Sequence, residues 1–193
     1  MSRPREVSDE AILDAARKVF LEHGPSVATS VIAKELGVSA PTLFNRFGSK
    51  RALLIAALKP RRFPMIERMD EGFDADRALV DQLIEVAEAF GRFAEELHPC
   101  MSMVKAAGLT PEEIFATYDV PPPIRAMQAL AAFLQQAQDA GAVRSGPVLP
   151  MALAFVGGVQ GPVFLSFIVG RPVVDLDEYR RQMVHNFCEG VAA

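Results

Sequence analysis

The stretch Ile32-Ala33-Lys34-Glu35-Leu36-Gly37-Val38, followed by Ser39-Ala40-Pro41-Thr42-Leu43-Phe44-Asn45-Arg46-Phe47, constrains this chain more than any other feature. It reads as two short helices joined by a tight glycine turn. Val31, Ile32 and Leu36 point inward from the first helix, and Ala33 is small where two helices must cross closely. Gly37 makes the turn and Val38 plugs the space between the helices. The second helix carries Leu43, Phe44 and Phe47 on one side and small or polar residues on the other. A short helix held this way presents its polar side to a partner. It is the arrangement that places a helix in the major groove of duplex DNA.

The flanking segments complete a small helical head. Ser8 is a good N-cap for a first helix running to about His23, and Asp9 and Glu10 suit its positive end. Ile12, Ala16, Val19 and Phe20 fall on one face. Gly24 is placed to end this helix in a left-handed conformation, and Pro25 prevents its continuation. Thr29 or Ser30 caps the next helix, and Ser39 caps the third, whose first turn tolerates Pro41 because that amide has no intrahelical partner. Ser49 caps a fourth, with Lys50 and Arg51 in its first turn. Cations are mildly unfavourable there, so an external anion such as a DNA phosphate accounts for them. Pro60 interrupts this helix, and Lys59 to Pro64 reads as a joint. The bases at the joint form either a second phosphate-binding cluster or, the stronger reading, a solvated linker.

Ala40, Pro41, Thr42, Asn45 and Arg46 are left to face outward from the third helix. Small side chains allow close approach, Thr and Asn bond bases or phosphates, and Arg pairs with guanine or phosphate. Thr42, Asn45 and Arg46 are therefore assigned to base reading, and Thr29, Ser30, Ser39 and Lys50 to the DNA backbone. Charge supports the assignment. Residues 1–62 hold eleven bases against six acids, while the rest hold nine against eighteen, so a head of +5 rides on a body of −9 within a chain of net charge −4. A basic head approaches phosphates, and an acidic body leaves a single binding face.

Residues 8–58 resemble the DNA-binding region of the TetR family of transcriptional regulators. The resemblance rests on Phe20-Leu21-Glu22-His23-Gly24, Ile32 to Ser39, Thr42-Leu43-Phe44-Asn45-Arg46-Phe47 and Ser49-Lys50-Arg51-Ala52-Leu53-Leu54. It implies an all-α homodimer: an N-terminal three-helix helix-turn-helix head (residues 1–58) on a helical-bundle body for ligand binding and dimerisation (residues 59–193). It further implies that two heads grip a near-palindromic operator and that a small molecule in the body loosens the grip. Phe44 stands where the family usually has a tyrosine that touches phosphate, so it joins the contact residues without the hydroxyl. Pro41 replaces a usual glycine and Arg46 a common histidine, and the stretch between Gly24 and Ile32 is one residue short.

The body reads as helices throughout. Leu79, Leu83, Val86, Phe90, Phe93 and Leu97 alternate at steps of four and three, with Glu95 and Glu96 on the wet side, until Pro99 forces a bend. A short helix begins at Thr110 with Pro111 at its first position, and residues 119–123 form a stiff connector before a helix over 124–140. The last helix, about 175–192, carries Leu176, Tyr179, Met183, Phe187 and Val191 on one face. By the resemblance, the last two helices of each subunit make the dimer interface. A ligand cavity between body helices draws on Phe90, Phe93, Leu97, Met101 and Met103, together with Phe115, Tyr118, Met127 and Phe155. Methionine suits such a pocket because its side chain repacks readily. A small apolar or amphipathic effector is implied, with His98 a weaker polar candidate.

Residues 145–170 contain no charged side chain and are long enough to span a bilayer. Pro147, Pro150, Pro162 and Gln160 argue against a membrane anchor, so the stretch is expected as a helix buried on nearly every side. No signal-peptide pattern follows Arg3 and Arg5, and Cys100 and Cys188 form no motif, which together point to a cytoplasmic protein with reduced thiols. Paired catalytic carboxylates, a phosphate-cradling loop, a Cys/His nucleophile and a metal-ligand cluster are all lacking, so neither enzyme activity, a metal nor a cofactor is expected. The reading is a repressor released from its operator by a small ligand. A membrane-associated or ligand-independent DNA-binding protein remains the alternative.

Overall fold

Ser8 starts α1 (Asp9–His23) by accepting a hydrogen bond from the Ala11 amide at 3.2 Å in the computed structural model, which describes residues 7–192, the side chains of Glu95, Glu96 and His98 excepted. Arg3 and Arg5 of the basic head, and the side chains of Glu95, Glu96 and His98 discussed above, lie outside the described residues. Helices form all the regular structure among those residues, apart from one isolated bridge between Val143 and Ala192.

The chain divides into two units that interleave in sequence. The first comprises residues 1–61 and 97–117. In it, α1 packs on α2 (Thr29–Leu36) and α4 (Lys50–Leu58), and α3 (Ala40–Phe47) packs on the same two helices. The predicted face of α1 forms the core: Ile12, Ala16 and Phe20 are fully buried and Val19 nearly so. Ile32, Ala33, Leu43, Leu53, Leu54, Ala57 and Leu58 close it. Gly37 takes φ 66°, ψ 26°, the left-handed geometry that turns α2 into α3 without the clash a Cβ brings. Gly24 has positive φ (83°) but an extended ψ (171°), so α1 ends on a sharper exit than the left-handed cap expected. Neither Thr29 nor Ser30 caps α2: Ala28 holds the N-cap position with no side-chain bond. The tight exit after Gly24 brings the helix start one residue earlier than a threonine cap requires.

The same unit contains the end of α6 (Leu79–Ala106) and all of α7 (Pro111–Phe115), whose Cys100, Met103, Val104, Leu109 and Ile114 are buried. Thr110 and Glu113 form a reciprocal capping box at the start of α7. Pro99, expected to bend α6, lies inside it, and the helix continues seven residues past it to Ala106. The proline loses one backbone bond at a cost of about 3 kcal/mol. Burial of Cys100, Met103 and Val104 beyond it offsets that cost.

The second unit comprises residues 62–96 and 118–193. Here α8 (Pro122–Asp139) is central, packing on α5 (Pro64–Asp70) and on α9 (Val148–Val169), which in turn packs on α10 (Leu176–Val191). Leu83, Val86, Leu130, Phe133, Leu134, Ala152, Phe155 and Val184 form its fully buried core. Residues 121–123 are not a separate connector, because Pro122 and Pro123 already form the first turn of α8.

The charge-free helix α9 departs most from expectation. Met151, Ala152, Phe155, Val159 and Pro162 are buried. Leu149, Leu153, Phe164, Leu165, Phe167, Ile168 and Val169 are each 47–63% exposed. Only 22% of its most apolar window is buried, because α8 and α10 cover one side alone. Its length and composition would also allow it to cross a membrane.

Candidate nucleic-acid interface

α3 is eight residues long, and its position is set at both ends by small local devices. Ser39 Oγ accepts the Thr42 amide at 3.4 Å and shares a second bond, 2.8 Å long, with Thr42 Oγ1. Gly48, with φ 76°, ends the helix. Leu43 is 1% exposed and anchors the inner face, with Phe47 half-buried beside it. Pro41, Phe44, Asn45 and Arg46 are exposed, while Ala40 and Thr42 are half-buried. Phe44 therefore belongs to the outer face and not to the apolar side on which its hydrophobicity placed it. An eight-residue helix resting on α2 and α4 has too narrow an inner face for three large side chains.

The other predicted contacts lie at helix starts. Thr29 and Ser30 open α2, Ser39 caps α3, and Lys50 opens α4 behind its cap Ser49, whose Oγ accepts the Ala52 amide at 3.0 Å. Backbone N–H groups at these starts lack helical partners and favour anions. Lys50 and Lys34 form no ion pair among the described residues.

Six other bases of residues 1–62 are engaged with acids or carbonyls: Lys18, Arg46, Arg51, Lys59, Arg61 and Arg62. Lys18 pairs with Glu35 at 3.3 Å. Arg51 pairs with Glu113, and this hydrogen bond, followed by that of the Thr110 amide, holds the Glu113 carboxyl below the usual carboxylate range. Lys59 Nζ donates to the Thr117 carbonyl at 2.6 Å. Arg61 bridges Glu10 at 3.2 Å and Asp14 at 3.1 Å, and Arg62 grips Glu67 through Nε at 3.0 Å. The joint is irregular, with Arg61 and Arg62 exposed, as the solvated-linker reading expects. Arg61 and Arg62 face carboxylates that the sequence places far away or on the next helix. Arg46 is engaged as well: Nε lies 3.0 Å from Asp9 Oδ1, and Nη1 donates to the Val7 carbonyl.

Residues 12–57 match the family described as bacterial regulatory proteins, tetR family. With a capped, groove-sized helix exposed on the head, that match identifies the head. The head of this chain is that of the TetR-family transcriptional regulators. It binds DNA and is not an enzyme. An HTH-type transcriptional regulator of Mycobacterium tuberculosis, itself described as uncharacterized, is 28% identical over 153 residues, covering 79% of this chain and 78% of the relative. Two solved structures share the TetR fold over nearly the whole chain. The flavonoid-responsive regulator FrrA superposes with a TM-score of 0.65 at 20% identity, covering 94% of this chain and 95% of its own. SmeT, the repressor of the Stenotrophomonas maltophilia multidrug efflux pump SmeDEF, gives a TM-score of 0.68 at 20% identity, covering 97% and 92%.

The predicted ligand residues of this chain separate between the two units. Phe90, Phe93, Tyr118, Met127 and Phe155 belong to the second unit, and Leu97, Met101, Met103 and Phe115 to the first. Phe90 and Phe155 are core residues, 5% and 0% exposed, and Phe155 meets Phe187 edge-on at 5.2 Å. Met101 is 37% exposed. Phe93 and Tyr118 come together through Phe63, at 5.4 Å and 5.9 Å between ring centroids, and burial raises the Tyr118 phenol to about 12. Phe63 had been read only as part of the joint. A separate charged cleft in the second unit is lined by Glu88, Arg92, Asp177, Arg180 and Arg181.

Two buried polar side chains escaped the sequence reading. Gln82 is fully buried, and its amide ties the loop after α5, accepting the Asp74 amide at 2.9 Å and donating to the Asp74 carbonyl at 2.8 Å. Arg180 is 5% exposed and pairs with Asp177 at 3.2 Å. Both sit at positions that helical periodicity assigns to the inside, the one available signal for them.

Proposed function

We propose that this regulator is a repressor that binds a near-palindromic operator as a homodimer and is released by a small apolar or amphipathic ligand. The exposed side of α3 carries the reading: Pro41 and Asn45 are open and Thr42 lies at the helix start, while Leu43 fixes the helix from behind. Thr42 and Asn45 contact bases. Thr29, Ser30, Ser39 and Lys50 position phosphates, and Ala40, Pro41 and Phe44 make close apolar contact.

The dimer forms through α9 and α10. Seven large apolar side chains of α9 are about half or more exposed in one chain, a face of the kind that subunit association covers. The same face favours the second reading, a membrane-associated DNA-binding protein, because α9 also meets the length and hydropathy of a spanning helix. Sedimentation of the detergent-free protein as a dimer supports the first reading; flotation with liposomes supports the second.

Ligand-linked release uses the single helix α6, which begins in the body and ends among residues that cluster with the head. A shift of α6 carries α7 with it, reaches α4 through the Arg51–Glu113 tie and its C-cap through Lys59–Thr117, and changes the separation of two recognition helices. These helices must lie about 34 Å apart, or a multiple of it, to dock together. That the related structures include a flavonoid-responsive regulator and an efflux-pump repressor supports a small-molecule effector. The test is selection from pooled random duplexes across a salt series. A recovered near-palindrome with steep salt dependence supports the dimeric reading. A single unrepeated half-site, or no enrichment, refutes it.

A further inference from the structure

Arg46 invites assignment as a base reader, being a guanidinium on the exposed side of the recognition helix. Its donors point elsewhere. Nε faces Asp9 Oδ1 at 3.0 Å and Nη1 donates to the Val7 carbonyl, so the fork closes on the residues that open α1. Its side chain is 30% exposed, against 65% for Asp9, which places the guanidinium stem under the start of α1. Asp9 is the first residue of α1 and Val7 immediately precedes the Ser8 cap. The helix dipole stabilises the Asp9 carboxylate there, and the Val7 carbonyl is an acceptor at every pH.

The packing of the head gives this contact its importance. α1 and α3 each rest mainly on α2 and α4. The inner face of α3 offers one fully buried side chain, Leu43. With only Leu43 fully buried and Phe47 half-buried beside it, apolar packing gives this short helix little resistance to rocking. Arg46 lies in its last turn, at the end opposite the Ser39 cap. A strut of one ion pair, to Asp9, and one hydrogen bond, to the Val7 carbonyl, runs from there to α1 and resists that rocking.

We propose that Arg46 is a positioning residue, which together with Asp9 sets the pitch of the recognition helix and does not read bases. This rests on the reading of α3 as the groove helix. A misread groove helix would show in the unaltered chain alone, as failure to select any duplex. A misread Arg46 shows only in the variants. Docking of Thr42 and Asn45 depends on the pitch of α3, so loss of the strut weakens every sequence alike while the order of preference stays the same. The phosphate count stays the same too, because Arg46 neutralises Asp9 and not a phosphate.

The experiment compares Arg46→Ala, Arg46→Lys, Asp9→Asn and the Asp9→Asn/Arg46→Ala double variant on the duplex selected by the parent, with circular dichroism confirming equal folding. Arg46→Ala and Asp9→Asn are each expected to weaken binding about threefold to tenfold, as loss of a charge-assisted hydrogen bond would. The double variant is expected to match Arg46→Ala, since both changes remove one strut. Arg46→Lys restores part of the loss. The slope of affinity against salt and the selected sequence remain those of the parent. Hydrogen exchange in the free protein is expected to quicken at the Phe47 and Gly48 amides in both single variants, a readout independent of DNA. Tighter binding by Asp9→Asn, a relaxed base preference in Arg46→Ala, or a salt slope reduced by about one in Arg46→Ala overturns the proposal. Unchanged exchange at the end of α3 overturns it as well.

Discussion

The guanidinium of Arg180 lies on the bare backbone of Gly91. A Cβ built on Gly91 would fall 1.8 Å from Arg180 Nη1 and 2.2 Å from Cζ. Gly91 is itself buried in the middle of α6, where alanine ordinarily gains about 1 kcal/mol over glycine. Here the gain reverses, because the buried Arg180 must leave its place. Gly91→Ala is expected to destabilise the chain by about 1–3 kcal/mol in urea unfolding, the range for overpacking a filled site. In an Arg180→Ala background the same change is expected to be neutral or stabilising. A loss of equal size in both backgrounds would sever the link between the two residues.

Glu85 carries a pH dependence that is specific to the second unit. Hydrogen bonds from Arg77, and next from Arg68, hold its carboxyl at about 2, against an ordinary value of 4.5. The folded protein thus binds this proton less readily than the unfolded chain does. The stabilisation is complete above pH 4.5 and is lost as pH falls toward 2. Urea midpoints of the parent and Glu85→Gln should differ near neutrality and converge through that window. A constant difference down to the acid end would place the effect of the substitution outside the carboxylate.

Lys50 and Asn45 should fail in different ways. Lys50 stands at the start of α4 without an ion pair among the described residues, as a phosphate ligand does. Lys50→Ala is expected to weaken all duplexes alike and to lower the salt slope by about one. Asn45→Ala is expected to relax preference at one base position, at a loss of about 1–3 kcal/mol on the selected duplex. Exchange of these two phenotypes would reverse the assigned roles.

Phe164 and Ile168 are 63% and 62% exposed on α9. A carboxylate at either position leaves a lone chain little changed and opposes burial between subunits. Phe164→Glu or Ile168→Glu is expected to shift sedimentation from dimer to monomer and to abolish tandem operator binding, with helicity retained. A dimer that survives both changes would move the interface off this face.

Much of the head was legible in the sequence because its determinants are local. Ser8, Ser39 and Ser49 cap the helices they precede, Gly37 turns, and the face of α1 follows from spacing alone. Each depends on residues within about one turn of itself. Where a local signal was contested by its surroundings, it lost. Thr29 did not cap α2, where Ala28 holds the N-cap position instead.

Sequence by itself determined that this chain is all-helical, where its helices lie within a few residues, and which short helix carries an exposed polar side. Periodicity, caps and turn glycines act over neighbours and need no knowledge of the fold. Tertiary structure alone decided which charges meet. Arg46 on Asp9, Arg51 on Glu113 and Arg61 on Asp14 join residues 37 to 62 positions apart. It also decided that α9 keeps a dry side and an open one, although its sequence is apolar all round. A hydrophobic helix states that it must be covered, and only the count of neighbours around it states how much of that cover the chain supplies itself.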